Sequence, residues 1–149
     1  MAEALFNTLG GQYFEAFSAG SDPAGKVNPY ALRQINGLSL AYKPRSKSWD
    51  EFTGTDSPAL DLIVTVCDHA AQAVCPVVSS KSRQVRWHLP DPAAAEGDSA
   101  AVQDAFLRCY RIFEQRINRL LFEMESLKNN DCDVVKIMNK LAFEDAVDC

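Results

Sequence analysis

Along this chain, apolar residues recur at three- and four-residue steps in some stretches and run together in others. These two periods separate helices from strands. Ala2 to Leu9 carries Leu5 and Leu9 on one face with Phe6 beside them, and Gly10-Gly11 follows, which predicts a short helix. Tyr13 to Ala19, YFEAFSA, is rich in aromatics and closed by Gly20, the pattern of a strand. After the loop SDPAGKVNP, Pro29 suits the first turn of a helix reaching about Asn36, with Leu32 and Ile35 expected inward and Gly37 beyond its end. Ser46 to Phe52, SKSWDEF, predicts a turn leading into a short helix. Leu60 to Cys67 is almost continuously apolar, as expected of a parallel strand buried on both faces. Gln84 to Leu89 predicts a second strand nearer an edge, stopped by Pro90-Asp91-Pro92.

Ser99 to Met124 is the longest helix expected, with Val102, Phe106, Tyr110, Phe113, Ile117, Leu120, Leu121 and Met124 at helical spacing. Asn129 to Asp131 breaks that pattern, and a last amphipathic segment carries Val134, Ile137, Met138 and Leu141. Strands separated by helices imply an α/β fold with right-handed crossovers and one parallel sheet. The expected organisation is one domain over residues 1–125 and a helical tail over 126–149, packed on it or trailing from it.

Composition narrows the partners. The chain has 149 residues, enough for one compact core, and a net charge of −5. It shows no basic face of the kind nucleic acid requires. The nearest approach is YKPRSKS, Tyr42 to Ser48, which is expected to be a solvated loop, with an oxyanion-attracting rim as the alternative. No apolar run is long enough to span a bilayer. MAEALFNTLGG lacks a basic leader and is acidic, so neither a secretory signal nor a transit peptide is expected. Five scattered cysteines in an acidic chain point to a reducing cytoplasm.

The candidate chemistry centres on TVCDHAAQAVCP, Thr65 to Pro76, where seven residues separate Cys67 from Cys75 at the end of the apolar strand. Two thiols in a polar loop fit a redox pair, and a buried strand-end cysteine is the plain alternative. A metal site at Cys67, His69 and Cys75 is the rival, although structural zinc favours four ligands with short paired spacings. Asp91 stands between two prolines that stiffen its loop. His69 and His88 lack a triad pattern, and Ser18, Ser46 and Ser48 are candidates for supporting bonds or plain turn residues. Cys109 falls on the apolar face of the long helix and is expected in the core, while Cys132 and Cys149 receive no role.

Several of these segments together resemble arsenate reductases of the low-molecular-weight protein tyrosine phosphatase type. They are Ser18 to Gly20, Pro23-x-Gly25-x-Val27-x-Pro29, SKSWDEF, LDLIVTVCDHAAQAVCP and Trp87-x-x-Pro90-Asp91-Pro92, over roughly Met1 to Leu121. The resemblance implies a three-layer fold, a small parallel sheet flanked by helices. It also implies thiol-dependent reduction of arsenate to arsenite. A cysteine in a Cys-x5-Arg loop attacks the oxyanion held on backbone N–H groups, and a second cysteine resolves the adduct. By that likeness Cys67 and Cys75 are the resolving thiols and Asp91 is the general acid. An external thiol reductant (thioredoxin, glutaredoxin or a small thiol) is then expected, with no bound cofactor or metal.

The chain departs from the family pattern in one respect. Six positions after Cys67, Cys75, Cys109 and Cys132 stand Ala73, Lys81, Gln115 and Met138, so no cysteine has the required arginine. MAEAL is similar to the helix that follows the loop in the family. The first, central strand and the attacking loop are therefore expected to be missing from the chain as given, through truncation or a start encoded further upstream. The sequence predicts no turnover of arsenate by these residues alone, and a gap in the sheet that leaves homo-oligomerisation open. A catalytically inactive or regulatory relative is the alternative function. A tyrosine phosphatase is a second, disfavoured because Ala93 and Ala94 offer no ring to stack on phosphotyrosine.

Overall fold

The structure is a computed structural model, and it describes residues 1–66, 82–127 and 133–144. Its elements in chain order are α1 (Ala2–Leu9), α2 (Pro29–Ile35), a 3-10 turn (Trp49–Phe52), β1 (Leu62–Thr65), β2 (Arg83–Arg86), a second 3-10 turn (Pro92–Ala94), α3 (Ser99–Ser126) and α4 (Val134–Glu144). The α/β class expected from the sequence is the one observed, with helices around a small parallel sheet.

The boundaries follow local chemistry. The Asn28 side chain accepts a hydrogen bond from the Tyr30 N–H at 2.9 Å, and Pro29 fills the first helical position of α2. Asp98 caps α3 by accepting from Ala101 N–H at 2.9 Å. Gly97 precedes it at φ 117°, a backbone angle that side chains rarely adopt. At the end of α1 the need for glycine is one of space. A Cβ on Gly10 would meet the Phe14 ring at 2.9 Å, and one on Gly11 would meet the Asn7 carbonyl oxygen at 2.6 Å.

β1 and β2 pair in parallel, Leu62 opposite Arg83 through Thr65 opposite Arg86. Two further bonds prolong the contact past the strands, from Trp87 N–H to the Thr65 carbonyl at 2.8 Å and from Leu89 N–H to the Val66 carbonyl at 3.1 Å. Along the second strand and its extension, Val85, Trp87 and Leu89 are buried while Gln84, Arg86 and His88 are exposed. This alternation, period two, marks a sheet with one face on the core. Every residue of β1 is only half-buried, which corrects the expectation of a strand buried on both faces. Among the described residues β1 has β2 as its sole strand partner.

Two further expectations are corrected. Tyr13 to Ala19 forms no strand; only a single parallel bridge, Gly20 to Ser48, lies at its end. The aromatics are used differently, with Phe14 folded back edge-on against Phe6 at 5.4 Å. The Asn7 amide holds both polar groups of Ala16, donating to its carbonyl at 2.8 Å and accepting from its N–H at 2.9 Å. A side chain thus satisfies backbone that a neighbouring strand would otherwise pair. In α2, Ala31 and Ile35 are buried, but Leu32 is 40% exposed, because the helix meets α3 through Tyr30 stacked on Phe106 at 5.8 Å.

The core gathers Leu5 and Phe6 of α1, Val85, Trp87 and Leu89, Phe113, Ile117 and Leu120 of α3, and Ile137, Met138 and Leu141 of α4. Trp87 has no exposed surface, and its indole N–H donates to the Met138 carbonyl at 3.0 Å. The last helix is therefore part of the core and does not trail from it. Trp87→Phe removes that bond and part of the ring; it should lower stability by about 1–3 kcal/mol with an unchanged urea m-value. Equilibrium urea unfolding measures this.

Candidate functional site

The parallel pairing sends the chain out of both strands at the same end of the sheet. Val66, the residue before Cys67, accepts the hydrogen bond from Leu89, two residues before Asp91. The fold thus brings the two predicted stretches of chemistry to one edge. Cys67 and Cys75 themselves lie outside the described residues, as do His69, Cys132 and Cys149.

Asp91 is exposed at that edge. Its carboxylate accepts from Ala93 N–H at 2.9 Å and so caps the 3-10 turn Pro92–Ala94. The Pro-Asp-Pro unit holds this conformation because Pro92 has no N–H to compete and its ring presets φ. In this geometry the carboxylate is anchored by its own loop, with its other oxygen open to solvent or a ligand.

Asp91 also acts electrostatically on Cys109, a buried core thiol of α3. Burial is the main cause that pushes this thiol above the ordinary cysteine value of 9.0. The Met1 amino group pulls it down, Asp91 pushes it up, and Arg116 pulls it down, each more weakly. The expected core placement of Cys109 holds. Arg116, itself buried, lies over the Trp87 ring at 5.6 Å. The start of α1, the Pro-Asp-Pro loop and the middle of α3 are therefore neighbours.

Beside them is a polar cluster that sequence reasoning missed. Lys47 donates to both carboxylate oxygens of Glu3, at 3.0 and 2.9 Å, with side chains only 6% and 12% exposed. Ser18 also donates to Glu3. Gly20 N–H donates to the Lys47 carbonyl at 3.0 Å, and Trp49 N–H donates to the Gly20 carbonyl at 3.1 Å. The first turn of α1, Ser18 to Gly20 and SKSWDEF are thereby tied at one point. Glu3 is well placed there, since an acid favours the positive end of a helix. The expectation of a solvated Tyr42 to Ser48 loop holds for exposed Lys43 and Arg45 and fails for Lys47. Of the serines, Ser18 binds Glu3, while Ser48 caps the first 3-10 turn by accepting from Asp50 N–H at 3.2 Å.

An open groove of about 790 Å³ adjoins this cluster, lined among others by Asn7, Phe14, Phe17, Tyr42 and Lys47. Asp91 does not line it, so it is separate from the sheet edge where the strands end. Among the described residues no group of His, Cys, Asp and Glu has the makings of a metal site, and His88 stands on the open face of the sheet. No described helix is long and apolar enough to cross a membrane.

Two parallel strands that deliver an acidic turn near the start of α1 are an arrangement of the α/β class. The chain belongs to the low molecular weight phosphotyrosine protein phosphatase family, whose sequence profile matches residues 1–133. It is similar to a protein named arsenate reductase from Halalkalibacterium halodurans, 34% identical over 97 residues, 65% of this chain and 67% of that one. Arsenate reductase from Brevibacillus brevis is 34% identical over 96 residues, 64% of this chain and 69% of its own, and that from Bacillus cereus strain G9842 is 33% identical over the same shares.

Breaking the buried ion pair strands a charge. Lys47→Met should cost about 3–5 kcal/mol, whereas Glu3→Leu with Lys47→Met should recover most of that loss, because a buried pair has little net value over apolar packing. A double-mutant cycle by chemical denaturation measures both. Alkaline pH offers a second check. The unfolded Cys109 thiol ionises near 9.0 and the folded one only above that, so the unfolded state holds fewer protons in this window. Stability conferred by the protonated thiol is complete below pH 9.0 and falls as pH rises through the folded value. Cys109→Ala should flatten that part of the stability profile, read by thermal unfolding across the pH range.

Proposed function

We propose that this chain serves thiol-dependent reduction of arsenate to arsenite, supplying the resolving half of a cysteine relay. The observation that carries this reading is its 33–34% identity to proteins named arsenate reductase across about two-thirds of the chain. The convergence of Val66 and Leu89 at one sheet edge supports it, because it sets the segment entering Cys67 beside the loop of Asp91.

In the proposed sequence a loop cysteine displaces an oxygen of arsenate to form a sulfur–arsenic adduct. Asp91 gives a proton to the departing oxygen. The Cys67 thiolate attacks the adduct sulfur, the sulfur–arsenic bond breaks, and its electron pair stays on arsenic, which leaves as arsenite. Cys75 then attacks Cys67, frees the loop thiol and leaves a Cys67–Cys75 disulfide. An external dithiol or small thiol, acting in the cytoplasm, returns that disulfide to two thiols. No bound cofactor takes part. The attacking cysteine and its arginine are not among these 149 residues, since no cysteine here has an arginine six positions on. The second reading is a relative without catalytic activity, which would need no such loop.

Supplying the loop separates the two. The chain alone should form no arsenite with thioredoxin, glutaredoxin or dithiothreitol. A fusion placing a family strand and Cys-x5-Arg loop directly before Met1 should reduce arsenate, and Cys67→Ser or Cys75→Ser should abolish turnover while leaving the adduct-forming step. Arsenite formed by the unfused chain, or a folded fusion that stays inert, would overturn the proposal. Ala93 and Ala94 favour the oxyanion over an aryl phosphate, so hydrolysis of p-nitrophenyl phosphate by the fusion should remain a side activity.

A further inference from the structure

We draw no further inference here: the strongest candidate, the outer faces of α3 and α4, where Phe122 and Phe143 are 70% and 75% exposed and Lys140 bonds to Glu123 from one helix to the other, carries nothing because nothing in the structure shows what covers these rings.

Discussion

The Trp87 indole touches every element that builds the core, and their mutual placement rests on it. Its ring stacks on Phe6 of α1 at 5.7 Å and lies 6.4 Å from Phe113 of α3, with the Arg116 guanidinium over one face. Its indole N–H reaches the Met138 carbonyl of α4, and its backbone N–H extends the ladder to Thr65. One large side chain with a single donor suits this role, because its area joins several packing surfaces and its N–H must find a partner once buried. Trp87 also stands four residues before Asp91, so whatever holds the indole holds the base of the acidic loop.

The Glu3–Lys47 pair does for the polar side what Trp87 does for the apolar side. It joins α1 to two loop segments that share no ladder beyond one bridge. A buried ion pair gives little net stability, but it penalises every arrangement that separates its partners. It therefore specifies how the start of α1 sits against Ser18 to Gly20.

Much of the helical part was legible from spacing. Leu5 and Leu9 with Gly10 bounded α1, Pro29 opened α2, and the run from Val102 to Met124 marked α3, because burying one helix face leaves a periodic trace in the chain. The strands were legible in position and less so in burial. LDLIVTV resembled a strand enclosed on both faces, yet enclosure depends on which segments arrive beside it. YFEAFSA had strand composition but found no ladder, since Asn7 took the polar groups of Ala16 and Phe14 turned back to Phe6. Lys47 looked like one more solvated cation, because the partner that buries it lies 44 residues away.

By itself the sequence determined the α/β class, the likeness to the family and the order of the elements apart from the strand expected at Tyr13 to Ala19. These follow from local periodicity and from residue identity, which are written along the chain. Only the tertiary structure decided that one face of the sheet is covered, that α4 closes the core on Trp87, that Asp91 is tied into its own turn, and that Glu3 and Lys47 form a buried pair. Each of these depends on contacts between distant residues, and the energy of such contacts is set by what surrounds them once the chain has folded.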